Sequence, residues 1–303
     1  VRVFIVSEAD DTGGVAVAIV RAFERHAPDW TVRAMNGTTT YIDYPRDLGW
    51  MPTRFAAEWQ AADVVHAMEK VANLQAWFDP LAKPLVLHHH GTALRNHPEL
   101  AAWAAERAIP QVCSTIDLTA IHPAIAWLPN PMATDWFAGF RSQYHPADDQ
   151  PFTVSHTPTW RALKATDELI AAAAQAHVRL ELAEGVNWVT ALVAKARSDA
   201  YFDQTLFGFG LSATEAWSMG LPVMAGASPE ILALMARTWG FLPFVDVAER
   251  GLVGTILTLA ERGPLYRDAA GLGHEFVLTY HDERRVVERL KDLWTRTRDE
   301  WHG

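Results

Sequence analysis

The stretch that most constrains this chain runs from Asp199 to Ala225, DAYFDQTLFGFGLSATEAWSMGLPVMA. A strand-like opening leads into Gly208-Phe209-Gly210, and a helix is expected to start near Ser212. Gly220-Leu221-Pro222 stops that helix before a second apolar run, Pro222 to Ala225. Glycines at such a turn let backbone come close to a ligand, and the helix start behind them offers N–H groups and a positive dipole end, which favour a phosphate. Glu215 falls about one turn into the helix. A carboxylate there does not help to hold a phosphate, but its two oxygens suit the paired hydroxyls of a ribose. Gly208, Phe209, Gly210, Leu211, Ser212 and Glu215 are therefore candidates for a nucleotide-diphosphate cradle. The competing reading is a buried strand-turn-helix without a ligand.

The rest of the chain repeats that strand-loop-helix logic. Val1 to Ser7 reads as a buried parallel strand, Asp10 to Gly14 as a loop and Val15 to His26 as a helix. Strands are expected at Thr31–Met35, Asp63–Met68, Pro84–His89, Pro110–Ser114 and Ala124–Leu128, with helices at Arg54–Ala61, Asn73–Leu81 and His97–Ala108. This alternation means parallel βα units. After a stretch rich in Pro, Asp, Gln and aromatics, the pattern resumes with a strand at Phe152–His156 and a helix at Asp167–Ala176. The loop between them carries Arg161 and Lys164. Fixed cations at that place lower the barrier to losing a diphosphate leaving group, although two cations in a surface loop are also commonly only solvated. At the other strand edge stands His88-His89-His90. Alternation along a strand keeps three consecutive histidines from chelating one metal, and it is His90, beside Gly91, that is better placed to reach a ligand, the competing reading being a histidine satisfied by a backbone carbonyl at a strand end.

The length of 303 residues suits two domains, and half the residues are apolar, enough for a large core. A formal net charge of −10 argues against stable nucleic-acid binding. Cys113 is the only cysteine, and no apolar run reaches the length of a membrane span, so a cytoplasmic enzyme is expected.

GFGLSATEAWSMGLPVMAG resembles the donor-site signature of the retaining GT-B glycosyltransferases of the family called GT4. In that signature a glutamate, seven residues and a second glutamate precede a small-Gly-x-Pro-Val turn. Glu215 matches the second glutamate, which the family uses for the donor ribose, and Phe207 stands where the first would touch the transferred sugar. The resemblance extends to Gly13-Gly14, near the donor phosphates in the family, and to His90-Gly91-Thr92-Ala93-Leu94-Arg95, similar to an H-G-T-D-x-R segment with Ala93 in place of the aspartate. It also covers Pro129-Asn130-Pro131 and Arg161 to Thr166, where Ala165 replaces the glycine of a K-G-T segment.

The resemblance implies two Rossmann-like doubly wound α/β domains facing a cleft: an acceptor-side domain at 1–135, a linker at 136–151, a nucleotide-sugar domain at 152–280 and a last helix at 281–303 that crosses back onto the first domain. It implies transfer of a hexose from a UDP- or GDP-type donor to an acceptor hydroxyl with retention. His90, Arg161 and Lys164 would be catalytic, and Gly13, Gly14 and the Gly208 to Ser212 turn with Glu215 would bind donor. The nucleotide-diphosphate sugar is a co-substrate, and no other cofactor is expected. No D-x-D triplet occurs, so metal-independent transfer is expected. No Asp or Glu stands out as a general base, in keeping with the departing phosphate taking the acceptor proton. A nucleotide-sugar epimerase, a hydrolase or a non-catalytic binding module remain alternatives, and the acceptor, a glycan, lipid, protein or modified nucleic acid, has no readable motif.

Overall fold

The computed structural model describes residues 1–7, 14–36, 44, 47–49, 51–68, 80–144 and 150–302. Gly13, and all but the end of the helix expected at Asn73–Leu81, lie outside them. The chain divides into two compact units: Val1–Pro131 with Glu283–Gly303, and Met132–Asp282.

The first unit is built on seven parallel strands: β1 (Arg2–Ser7), β2 (Thr31–Asn36), β3 (Leu48–Gly49), β4 (Val64–Met68), β5 (Leu85–His89), β6 (Gln111–Cys113) and β7 (Ile125–Trp127). Their order is β3-β2-β1-β4-β5-β6-β7, all in parallel register. Because both faces of such a sheet are covered, its central strands are apolar throughout rather than alternating. β1 and β4 accordingly bury Val3 to Val6 and Val64 to Met68. Helix α1 (Val15–His26) starts after Gly14, whose φ of 72° is one that glycine adopts without strain. α2 (Pro52–Ala61) sends Phe55 and Trp59 into the core around Phe4 and Met35.

An unexpected short helix, α3 (Thr92–Asn96), precedes the helix expected at His97–Ala108, which is shorter, α4 (Glu99–Ala105). The chain turns helical directly after Gly91, and Pro98 ends up as the cap of the second piece. The stretch after Pro131 differs from the expected linker. Most of it is a helix, α5 (Thr134–Tyr144), whose Trp136, Phe140 and Tyr144 stack at i, i+4 spacing. Arg141 on α5 donates to the Met219 carbonyl at 2.7 Å, which ties the helix into the second unit.

The second unit carries β8 (Thr153–His156), β9 (Arg179–Leu182), β10 (Ala200–Phe202), β11 (Phe207–Gly208), β12 (Val223–Ala227) and β13 (Val245–Asp246). The order is β11-β12-β10-β8-β9 with β13 on β12, and only β11 runs antiparallel to its neighbour. Around it lie α6 (Thr166–Gln175), α7 (Trp188–Ala196), α8 (Leu211–Ser218), α9 (Pro229–Trp239), α10 (Gly251–Ala260) and α11 (Pro264–Phe276). β8 is flanked by β9 on one side and β10 on the other, so the order reverses there. Ligands of doubly wound sheets bind outside the carboxyl ends of the strands at such a reversal.

The last helix, α12 (Glu283–His302), belongs to the first unit. Its apolar stripe, Val286, Val287, Leu290 and Trp294, is fully buried. Arg25 and His26 at the end of α1 both reach Glu283 at its start, and Trp294 packs on Phe23 with centroids 5.0 Å apart.

Candidate nucleotide-sugar site

In the second unit the carboxyl ends of β8 and β10 carry the cations and carboxylates that the sequence placed in loops. Lys164, in the loop after β8, pairs with Asp203, just past β10, at 2.6 Å. The other Asp203 oxygen accepts the Gly210 N–H at 2.5 Å. One buried carboxylate thus joins the loop after β8 to the cap of α8, and the Gly210 N–H expected to be offered to a phosphate is engaged by Asp203.

Arg161 is more loosely held. It donates to Asp167 through Nε and Nη2, at 2.9 and 2.5 Å, and to Glu184 through Nη1 at 2.7 Å. Asp167 is 77% exposed, so turning it into solvent costs little. Lys164 ends the 3-10 turn Arg161–Leu163, and Ala165 after it caps α6 in the left-handed conformation, φ 49°. That conformation favours glycine, which explains physically why a glycine suits this position. Beneath the loop His156 is buried, donating through Nδ1 to the Phe202 carbonyl and accepting the Thr166 hydroxyl at Nε2, each at 2.9 Å. Burial pushes its pKa down to about 4.

The Gly208-Phe209-Gly210 turn is fixed from behind. Gly208 has φ 81°, and a Cβ there would meet Met235 at 2.3 Å, so no other residue fits without a shift. Phe209 is buried against Trp217, Phe276 and Trp239, with centroids 4.9, 5.5 and 5.8 Å away. Its ring is therefore not available to a ligand, and any contact it makes is through its backbone. Gly208, Leu211 and Ser212 form the rest of the turn and the start of α8. Phe207 opens β11 in register with Ala227.

Glu215 is 3% exposed and lies among groups that fix its orientation. Trp188 at the start of α7 donates its indole N–H to Oε1 at 2.7 Å, and Lys195 near the end of the same helix pairs with Oε2. Lys195 also donates to Ser212 Oγ at 3.2 Å and stands over the Tyr201 ring. Each carboxylate oxygen accepts more than one hydrogen bond, so two donors leave capacity for ribose hydroxyls. Sequence reasoning missed Lys195. The signal for Lys195 was there, a lone cation inside the apolar helix WVTALVAKA.

The first unit has its own polar edge. His88 and His90 share one side of β5, stacked with centroids 4.2 Å apart, while His89 faces Gln111, 3.0 Å from its Oε1. His90 Nδ1 lies 2.9 Å from Ser114 Oγ. Burial pushes His90 down to about 3, so the ring is neutral near pH 7. Arg95 binds Asp117 and lies over Gly91, whose φ of 133° favours glycine; a Cβ there would meet the Arg95 guanidinium at 2.6 Å, so that side chain would have to shift. Gly14 is buried, and a Cβ on it would meet Tyr44 at 2.8 Å.

No protein-family model matches the chain, and no curated protein matches it. Solved structures do. Anabaena HepE in complex with UDP superposes with a TM-score of 0.65 at 14% identity, over 97% of this chain and 99% of that one. Sucrose-phosphate synthase from Thermosynechococcus elongatus gives 0.63 at 13%, over 97% and 98%. The catalytic domain of starch synthase IV from Arabidopsis thaliana, bound to ADP and acarbose, gives 0.61 at 10%, over 98% and 99%. At these identities the likeness speaks for the fold, and with two parallel-sheet units ordered as described, the fold of this chain is GT-B.

Proposed function

We propose that the chain is a glycosyltransferase that holds a nucleotide-diphosphate sugar on its second unit and transfers a hexose to an acceptor hydroxyl, with retention and without a metal. The observation that carries this reading is Glu215, buried at the start of α8 and fixed from two sides by Trp188 and Lys195. Holding a carboxylate this way is costly for the fold and worthwhile where it receives ligand hydroxyls. The similar structures that bind UDP or ADP support a nucleoside diphosphate as the ligand class.

In this reading the ribose donates to Glu215, and the diphosphate lies over the start of α8, drawing Arg161 away from Asp167 and Glu184. Lys164 has further N–H donors beyond the one given to Asp203 and adds a second positive charge. As the sugar–phosphate bond breaks, charge grows on the leaving phosphate, and these two cations stabilise it most at that moment.

Incubating the protein with a panel of UDP-, ADP- and GDP-sugars, with and without a cell extract as acceptor source, tests the reading. Sugar transfer that requires extract supports it. Nucleotide release without acceptor marks a hydrolase, and binding without turnover marks a binding module. Activity should persist in EDTA, and a complete loss restored by Mn²⁺ or Mg²⁺ would refute the metal-free mechanism.

A further inference from the structure

A chain of buried polar groups runs through the first unit and uses none of the charges of the second. Trp294 on α12 donates its indole N–H to His66 Nδ1 at 3.0 Å. His66 Nε2 lies 3.0 Å from His88 Nδ1, and His88 Nε2 lies 2.9 Å from Ser114 Oγ. Ser114 Oγ meets two further groups, His90 Nδ1 at 2.9 Å and Asn130 Oδ1 at 2.8 Å. His90 Nε2 is buried and has no partner among the described residues.

The direction of every proton follows from the ends of this chain. An indole nitrogen only donates, so His66 Nδ1 carries a lone pair. Burial holds His66 near a pKa of about 3 and His88 well below its usual value, so both rings are neutral and carry one proton each. The His66 proton is therefore on Nε2 and points to His88 Nδ1, and the His88 proton is on Nε2 and points to Ser114. The Ser114 oxygen accepts from His88 and has one proton to give. The Asn130 carbonyl oxygen takes it, because otherwise two lone pairs would face each other at 2.8 Å. Ser114 can then only accept from His90, which must carry its proton on Nδ1.

We infer that the end of this relay, Ser114 with its proton given to Asn130, holds His90 in the Nδ1–H tautomer, so that Nε2 is a bare hydrogen-bond acceptor for a substrate hydroxyl. His90 follows the last residue of β5 at the carboxyl edge of the sheet, where doubly wound folds take their ligands. A buried acceptor with no donor is uncommon and is kept where a ligand supplies one. With the other tautomer Nε2 would donate, and the ring would prefer a carbonyl or phosphate oxygen instead. Ser114 and Asn130 are positioning residues, and Trp294 sets the direction in which His66 and His88 pass their protons. The use of Nε2 in transfer rests on the glycosyltransferase reading, whereas the tautomer does not.

Two-bond proton–nitrogen correlation spectra of the full chain, labelled with ¹⁵N-histidine at pH 7 without substrate, read the tautomers directly. The wild type should show His90 protonated on Nδ1 and unprotonated on Nε2. Asn130→Ala should release the Ser114 proton to His90 Nδ1 and swap the tautomer to Nε2–H. Trp294→Phe should let His66 and His88 exchange between tautomers and leave His90 unchanged, since Ser114 still has no proton to give it. A wild-type His90 protonated on Nε2 overturns the relay, and so does an Asn130→Ala protein that keeps the wild-type fold without a swap. Should that variant fail to fold, the wild-type spectrum alone decides. With a donor that the wild type turns over, Asn130→Ala should lose about tenfold or more in kcat while its UDP affinity stays within about twofold. Unchanged kcat in a variant whose tautomer has swapped overturns the use of Nε2. A wild type inactive with every nucleotide sugar overturns the glycosyltransferase reading and leaves the relay to be judged by its spectrum.

Discussion

The carboxyl edges of the two sheets solve one problem in opposite ways. Each buries polar side chains beside a parallel sheet, and each must satisfy them. The first unit does so chiefly with neutral groups, the rings of His66, His88 and His90 and the hydroxyl of Ser114. The second does so with ions, Lys195 against Glu215 and Lys164 against Asp203. Neutral groups are cheap to bury and fix the direction of protons; ion pairs are expensive to bury and fix where charge sits. The two edges should therefore fail differently, the second when a partner is removed and the first when protons are added.

Removing a partner should tell most at Lys195, 1% exposed. Lys195→Met leaves Glu215 as a buried charge that has lost its ion partner, a loss of about 3–5 kcal/mol in urea denaturation. Lys195→Met combined with Glu215→Leu should recover most of that stability, since an apolar pair of similar volume commonly replaces a buried ion pair without loss. Nucleotide binding should stay lost in the double variant. Recovery of both would show that the pair serves stability alone.

Acid should strike the first unit harder. His66 and His90 have folded pKa values of about 3, and His88 is also lowered, against about 6.5 in an unfolded chain. Below pH 6.5 the unfolded chain binds protons that the folded unit refuses, so this contribution is whole above 6.5 and is lost as pH falls toward 3. The slope is about 1.4 kcal/mol per pH unit for each histidine. Among the described residues of the second unit, the comparable group is His156 at about 4. Urea titrations followed through the amide signals of each unit at pH 7 and pH 5 should show the larger decline in the first. Equal declines would mean that the histidines are not buried neutral.

Next in size is the nucleotide itself. Glu215→Gln keeps the shape of the side chain but weakens hydrogen bonds from ribose, by about 1.5–3 kcal/mol in calorimetry with UDP or another nucleoside diphosphate. Arg161→Ala should weaken it less, because Arg161 is exposed and must first leave Asp167 and Glu184. Phe207→Ala should change sugar selectivity more than nucleotide affinity, since Phe207 carries no hydrogen-bond acceptor. An unchanged affinity in Glu215→Gln would remove the ribose assignment.

How much of this was legible in the sequence depended on whether the signal was local. β1, α1 and the stripe of α12 are patterns of consecutive residues, and the structure follows them to within a residue or two. The turn before Glu215 was legible because glycine, helix start and carboxylate lie within nine residues. The Lys195–Glu215 pair spans 20 residues, and Trp294 meets His66 across 228. Neither position announces its partner, and a lysine in an apolar helix can be read only as a question. α5 was hidden by its Pro- and Asp-rich surroundings, although Trp136, Phe140 and Tyr144 carry helical spacing.

The smallest expected effect compares the units at two matched points. Ala165, between Lys164 and α6, and Ala108, after α4, both hold the left-handed conformation, with φ 49° and 53°. An L-residue pays about 1–2 kcal/mol there, and glycine gives back about 0.5–1 through the greater freedom of the unfolded chain. Either alanine changed to glycine should thus stabilise its unit by about 0.5–1 kcal/mol. If the left-handed turn matters only to the fold, the two variants should behave alike. If the Ala165 turn also sets the reach of Lys164, Ala165→Gly should in addition loosen that loop and lower nucleotide affinity, which Ala108→Gly cannot do. Thermal unfolding of the two variants side by side, with and without UDP, separates these outcomes: equal shifts without ligand and a smaller UDP-induced shift in Ala165→Gly alone would tie the loop backbone to the phosphate contacts.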